Sequence, residues 1–286
     1  MSSSQKKRRL IFLESSNHIQ SETMVPFDHH QYLHFEIHRA MIASLSILPA
    51  ESLKSKSFRG CVIGLGGGMM CMFMRHHWKH WNCVDAVEID RAVVGVAKSS
   101  FGFQETKDRL VVHVEDGVKF LCEDVKQDSF YDVIFIDCNA SDAIESPMAF
   151  PPAAFLTKSF LKTLRRKCRG IVVMNVSCRS STVYASTLER MRSYFPSVRE
   201  LSLKTQTLNR LVVMSVVDVN NDDDENSFEK FCLSTSAASK EKWSNEMNHE
   251  LKRLVSGICS GGGSEEKKNV SKKKRKKRRK KKKKKK

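Results

Sequence analysis

Gly60-Cys61-Val62-Ile63-Gly64-Leu65-Gly66-Gly67-Gly68 is a short apolar run that ends in a cluster of glycines and passes straight into Met69-Met70-Cys71-Met72-Phe73-Met74. An apolar run over 60–65, closed by glycine, reads as a buried strand, and the residues beyond it as the opening of a helix. Open α/β sheets bind nucleotide-like ligands at such a turn, because glycines let the backbone approach the ligand. The same turn also serves NAD, FAD or mere tight packing, so the chemistry must come from residues elsewhere.

Outward from this turn, further apolar runs at 84–89, 110–114, 131–136 and 170–176 are separated by segments long enough for crossover helices. They predict five parallel strands buried on both faces, an α/β sheet. Val198–Leu203 and Leu211–Val217 lie too close together for a crossover, so they are expected to pair as an antiparallel hairpin at one sheet edge. Upstream, apolar residues at 33, 37, 41, 45 and 48 predict a helix from Tyr32 to Leu48, stopped by Pro49. Arg8–Leu13 and His18–Val25 alternate as a small N-terminal β-hairpin. A helix over 153–164 and an amphipathic last helix over Ser239–Ile258 complete the expectation. The division is a hairpin extension at 1–27, a main domain at 28–258 containing an acidic loop at 218–226, and a disordered Gly/Ser linker and basic tail at 259–286.

The strand tips carry the chemistry. The second strand ends Val87-Glu88-Ile89-Asp90, placing Glu88 where a carboxylate accepts hydrogen bonds from both ribose hydroxyls, unless it is only a surface charge. The third ends Val114-Glu115-Asp116-Gly117, where Asp116 would either accept from an adenine amine, with Gly117 beside it, or cap the next helix. The fourth, Tyr131–Ile136, ends at Asp137, which faces the crevice where a reacting group would sit. Three carboxylates at successive strand ends favour a cationic sulfonium and repel a pyrophosphate, so S-adenosylmethionine is expected over NAD.

At 286 residues, 40% apolar and 29% charged, the chain has material for one generous domain or two small ones. Its net charge of +18 is unevenly placed: residues 265–286 hold 17 Lys and Arg with two Glu, a net +15, and the other 264 residues carry +3. Any phosphate-gripping surface is therefore expected only in the run from Lys272 to Lys286. That run would give non-specific RNA contact or nuclear entry, or reflect nothing more than an A-rich message end; no aromatic residue interrupts it to read bases. Nine cysteines without a C-x-x-C pair read as reduced thiols, with no metal site. The apolar stretch after Lys6-Lys7-Arg8-Arg9 is short for a signal peptide, and Cys61–Met74 is short of the roughly 20 residues that span a bilayer. A soluble, cytoplasmic protein with no membrane partner is expected, its oligomeric state left open.

With these residues in view, the chain resembles the spermidine-synthase-like branch of class I S-adenosylmethionine-dependent methyltransferases. Within that branch it is similar to the C-terminal domain of the enzymes that methylate elongation factor 1-alpha on lysine and at its N terminus. The resemblance spans about residues 8–217 and rests on Arg8–Leu13, Ile19-Gln20-Ser21-Glu22, His38–Ala43, Val62–Gly68, Asp85–Asp90 and Tyr131–Ile134. It implies a Rossmann-like class I methyltransferase sheet, with Gly64, Gly66 and Gly68 lining the cofactor, Glu88 at its ribose, Asp116 and Gly117 at its adenine, and Gln20 at its methionine end. Gln20 is otherwise a polar strand residue.

Asp137, with Asn139 or Asp142 nearby, is the candidate to orient an acceptor amine, unless Asp137 only contacts the cofactor or caps a helix. The related domain has an aspartate where this chain has Asn139. A protein N-terminal amine, on elongation factor 1-alpha or a similar acceptor, is the expected substrate; lysine methylation is not carried over, because the chain has no room for the separate domain that performs it. Polyamine synthases of the same fold are the alternative enzyme reading. Against them, Gly67 stands where their glycine loop has Asp, and the loop Asp137-Cys138-Asn139-Ala140-Ser141-Asp142 lacks their Asp-Pro. A catalytically degenerate module tethered to RNA or ribosomes by the tail is the non-enzyme alternative.

Overall fold

The computed structural model describes residues 6–11, 19–28, 31–123, 130–139, 146–205, 207–216 and 245–259. Two strands, β1 (Lys6–Ile11) and β2 (Ile19–Val25), form an antiparallel hairpin that is a sheet of its own. The main sheet holds β3 (Arg59–Ile63), β4 (Cys83–Glu88), β5 (Leu110–Val114), β6 (Tyr131–Ile136), β7 (Met148–Phe150), β8 (Cys168–Cys178), β9 (Ser197–Ser202) and β10 (Asn209–Ser215). Its order is β5-β4-β3-β6-β8-β10-β9, with β7 paired to β8. The pairs from β5 through β8 along that order are parallel, and β10 joins β8 and β9 antiparallel. Five parallel strands with a hairpin at one edge are thus present as expected.

Alternation along the strands divides the core into two layers. Val133 and Phe135 face one side, with α1 (Glu36–Ser44), α3 (Met69–His77), α4 (Arg91–Ser100) and α8 (Asn245–Cys259). Ile134 and Ile136 face the other, with α5 (Gly117–Glu123), α6 (Lys158–Lys167) and α7 (Ser181–Arg192). A single turn, α2 (Ala50–Lys54), precedes β3. Among the described residues, no helix is long and apolar enough to cross a membrane.

Four expectations about elements change. Gly64 and Leu65 leave the first core strand to make the turn, and Ile89 leaves the second. The helix expected from Tyr32 starts at Glu36, because the buried Arg39 guanidinium donates to the Leu33 and His34 carbonyls at 2.6 and 2.9 Å and so holds that stretch out of helical conformation. The helix expected over 153–164 is a 3-10 turn at Ala153–Leu156 followed by α6, since the Thr157 hydroxyl accepts from the Phe160 N–H at 3.3 Å and starts a new helix. β8 runs 11 residues, beyond the expected 170–176, and its far end takes a partner the sequence does not announce, the three residues of β7. Of the expected last helix, residues 239–244 lie outside the described residues, as do the acidic loop 218–226 and the tail from 260 onward.

Because β3, β4, β5, β6 and β8 run parallel, their C-terminal ends share one edge of the sheet. β10 runs antiparallel to β8, with Asn209 opposite Ser177, so the turn between β9 and β10 reaches that same edge. The N-terminal hairpin closes over it: the Ser21 hydroxyl accepts from the Gly67 N–H at 2.8 Å, and Arg8 donates to the Ser100 carbonyl at 2.5 Å.

Candidate active site

The turn after β3 is built by conformation and by crowding. Gly64 has φ +93°, its N–H donates to the Val87 carbonyl at 2.8 Å, and a Cβ there would run into the Asp137 carbonyl. Gly68 has φ +79° at the mouth of α3, and a Cβ there would strike the Phe103 ring. L-residues rarely adopt such φ values, so glycine is demanded at both places. Gly66 sits under the hairpin, where a Cβ would meet the Ser21 hydroxyl at 2.8 Å, and Gly117 opens α5 buried against Ile63.

Glu88 ends β4 with its carboxylate fixed by two backbone donors, Leu65 N–H and Asp90 N–H, each at 3.0 Å. One of those donors belongs to the glycine turn, so the carboxylate and the turn are set as a unit. Asp116 is exposed at the end of β5, and one of its carboxylate oxygens accepts from the Lys119 N–H at 2.8 Å, the cap of α5. The capping role is therefore present in the structure. Ile89, directly after β4, is 69% exposed although the strand itself is largely buried, and Val114 at the end of β5 is 40% exposed. An apolar side chain left in water beside a carboxylate at a strand tip is a candidate platform for a flat base. The sequence reading passed over Ile89 by counting it as the last buried residue of its strand.

Asp137 follows β6 and is held from two sides. His38 Nε2, on α1, lies 3.0 Å from one carboxylate oxygen, and Asn175 Nδ2, on β8, donates to the other at 2.9 Å. Asn209 Nδ2 in turn donates to Asn175 Oδ1 at 3.0 Å, which fixes the direction of the Asn175 amide. Burial opposes the Asp137 charge, but the His38 hydrogen bond and electrostatic attraction, followed by the Asn175 amide, hold its carboxyl below the usual range. The neighbouring Cys138 thiol is pushed well above its ordinary range, first by burial and then by Asp137, Glu88 and Asp116. Asp137, Glu88 and Asp116 thus all lie at the C-terminal edge of the parallel strands, near the Cys138 thiol.

Asn139 is exposed, and its Nδ2 donates to Gln20 Oε1 at 2.8 Å, so the hairpin and the loop after β6 meet across the mouth of the crevice. Asp142 lies outside the described residues. His38, Asn175 and Asn209 were not among the residues singled out from sequence. Asn175 had a signal: it is a buried polar residue, 4% exposed, inside the apolar run of β8. His38 lies in a stretch that carried the family resemblance, but nothing local gave it a partner 99 residues away. Among the described residues no cluster of His, Cys, Asp or Glu could hold a metal ion. The described cysteines 61, 71, 83, 122, 138, 168 and 178 are all free thiols.

With this geometry in place, the comparison with known proteins is direct. The sequence profile of the spermine/spermidine synthase domain matches residues 50–229. The chain belongs to this family. Its curated relatives include the eEF1A lysine and N-terminal methyltransferase of Bos taurus, 35% identical over 170 residues, covering 58% of this chain and 24% of that protein. The chain thus matches about a quarter of the length of such relatives. A polyamine aminopropyltransferase of Prochlorococcus marinus is 38% identical over 125 residues, covering 41% of this chain and 40% of that one. Among solved structures, human Methyltransferase-like protein 13 in complex with SAH aligns with a TM-score of 0.61 and 26% identity over 77% of this chain and 92% of that chain. The family and the class I methyltransferase fold expected from the sequence are both supported.

Proposed function

We propose that this chain is an S-adenosylmethionine-dependent methyltransferase acting on a protein amine, with the N-terminal amine of elongation factor 1-alpha as the first acceptor to test. The observation that carries this reading is the Asp137 carboxylate, held by His38 and Asn175 at the tip of β6, on the sheet edge where β4 and β5 also end with Glu88 and Asp116. The residues fit the cofactor: Gly64 and Gly68 give the turn after β3 its positive φ, Glu88 is fixed at the tip of β4 as a carboxylate for ribose hydroxyls, and the exposed Ile89 is an apolar face for adenine. Gln20, bonded to Asn139, is assigned to the methionine end in this reading. The relatives named as methyltransferases and the human structure with SAH support the same assignment. Bound S-adenosylmethionine would supply an electrophilic methyl group on a cationic sulfur.

The chain's own contribution is alignment and charge. Asp137 accepts a hydrogen bond from the acceptor amine and turns its lone pair toward the reaction axis, while the nearby carboxylates favour a cationic ligand. His38 and Asn175 fix the carboxylate, so little reorientation remains when the acceptor arrives. A carboxyl held below its usual range is a poor resting place for a proton at neutral pH, so the amine's proton is assigned to solvent. That favours an acceptor with an appreciable neutral fraction: an α-amino group, at about 7.7–8.0, over a lysine at about 10.4. Cytoplasmic action, where such acceptors occur, is part of the proposal.

Mass spectrometry of the N-terminal peptide of unmethylated elongation factor 1-alpha, after incubation with the chain and S-adenosylmethionine, tests this. A mass gain at the α-amine is expected; an unmodified peptide with cofactor bound would remove this acceptor. Glu88→Ala is expected to weaken S-adenosylmethionine binding about 10- to 100-fold, the loss of charge-assisted hydrogen bonds, with the fold intact; calorimetric titration checks it. Aminopropyl transfer is a second reading because of the Prochlorococcus relative. It needs carboxylates to grip a diamine, and Asp137 is the described candidate for that role. Decarboxylated S-adenosylmethionine with putrescine separates the two: release of spermidine would favour the second reading.

A further inference from the structure

Helix α6 carries a stripe of cations that neither the fold nor the proposed reaction uses. Phe160, Leu161 and Leu164 are buried, while Lys158, Lys162, Arg165 and Arg166 are all exposed. Their spacing of four, three and one places them on one face, along about 12 Å of helix at 1.5 Å per residue. Elsewhere exposed cations are commonly paired: Lys7 and Arg9 share Glu22, Lys98 meets Glu105 at 2.5 Å, and Arg192 meets Glu200 at 3.0 Å. Among the described residues, none of the four α6 cations has a carboxylate partner. The acids of neighbouring elements are committed, Glu115 and Glu123 to Lys119 on α5, and Asp132 to Arg169 and to the Arg59 N–H.

Helix stability does not account for the stripe. Arg165 and Arg166 lie in the last turn, where the helix dipole favours positive charge, but Lys158 is the first residue, where it is unfavourable. Like charges four apart, as at Lys158 and Lys162, are mutually destabilising. We propose that this face of α6 binds the phosphate backbone of RNA without reading its sequence. Point charges and guanidinium forks in a row suit a polymer bearing one anion per unit. The stripe has no exposed apolar or aromatic side chain, so it offers a protein partner nothing to pack against and a nucleobase nothing to stack on. The same chain carries fifteen consecutive Lys and Arg at 272–286, a second polyanion-seeking segment. The near-neutral charge of the rest of the chain led the sequence reading to place phosphate binding in that tail alone; net charge averages away a stripe this local.

The test uses the full chain and a fluorescent 20-nucleotide oligouridine, with affinity measured against salt concentration. The variant K158Q/K162Q/R165Q/R166Q should lower the slope of log affinity against log salt by about 3, from roughly 0.7 per phosphate contact on a single strand. Its melting curve and its transfer of methyl to a short peptide acceptor should not change. K158Q/K162Q and R165Q/R166Q, made separately, should each give about half the change, which guards against a folding defect in the fourfold variant. A slope unchanged in all three variants overturns the proposal. So does a larger loss of binding to an oligoglutamate of equal length than to RNA, which would assign the stripe to an acidic protein.

Discussion

Asp137→Asn is expected to reduce methyl transfer by about 10³-fold while leaving the affinity for S-adenosylhomocysteine within a few-fold, on the scale of losing a positioned group that handles the reacting amine. The substitution is nearly isosteric, so the effect comes from charge and from the direction of hydrogen bonds. An asparagine here would lose the charge and would have to turn its NH₂ away from the donating Nδ2 of Asn175 and toward His38, whose Nε2 would then have to switch from donor to acceptor by a change of tautomer. Asn175 cannot turn its amide over without losing its bond from Asn209. The surroundings therefore favour a carboxylate at this position, which accepts on both oxygens at once. Single-turnover transfer to the elongation factor peptide, with calorimetric binding of the product cofactor measured in parallel, separates the two effects. A rate within tenfold of the unsubstituted chain would show that Asp137 does not align the acceptor. His38→Ala should cause a smaller loss, because Asn175 still orients the carboxylate.

The candidate residues at the strand ends were legible because strand tips are sequence-local. Glu88 and Asp137 each follow an apolar run directly, and the glycines lie between one such run and a helix, so reading the runs locates the tips. What holds Asp137 was not legible in the same way. His38 reaches it from α1 and Asn175 from β8, and their meeting depends on how the sheet is ordered rather than on any spacing along the chain. The division of the helix expected at 153–164 hung on one hydroxyl, Thr157, whose capping bond outweighs the continuous apolar pattern around it. β7 is three residues long and exists because the end of β8 needs a partner. Isolated from that edge, the same residues carry no strand signal.

Glu36→Ala is expected to be the most destabilising single substitution considered, at roughly 3–5 kcal/mol, the cost of opening a buried ion pair from one side. Glu36 is 1% exposed and accepts from the Thr205 N–H and hydroxyl, each at 2.7 Å, and from Arg253 at 2.6 Å. It thereby joins α1, the turn before β10 and α8, three segments far apart in the chain. Burial opposes its charge, but the two Thr205 bonds, then the Lys204 backbone and Arg253, outweigh burial and bring its carboxyl from 4.5 to about 2. A folded value below the unfolded one means that the contribution, about 3 kcal/mol from this shift, is present in full above about pH 4.5 and is lost as pH falls toward 2. Glu36→Gln should therefore cost stability at pH 7 and little at pH 2.5, so that its melting temperature approaches that of the unsubstituted chain in acid. Thermal melts at both pH values check this, with a drop of about 10 °C expected for Glu36→Ala at pH 7. A drop below 2 °C would show the contacts to be incidental. Because Glu36 lies two residues before His38 on α1, loosening it should also release the imidazole from Asp137, so the less damaging Glu36→Gln should slow methyl transfer at temperatures where the chain is still fully folded.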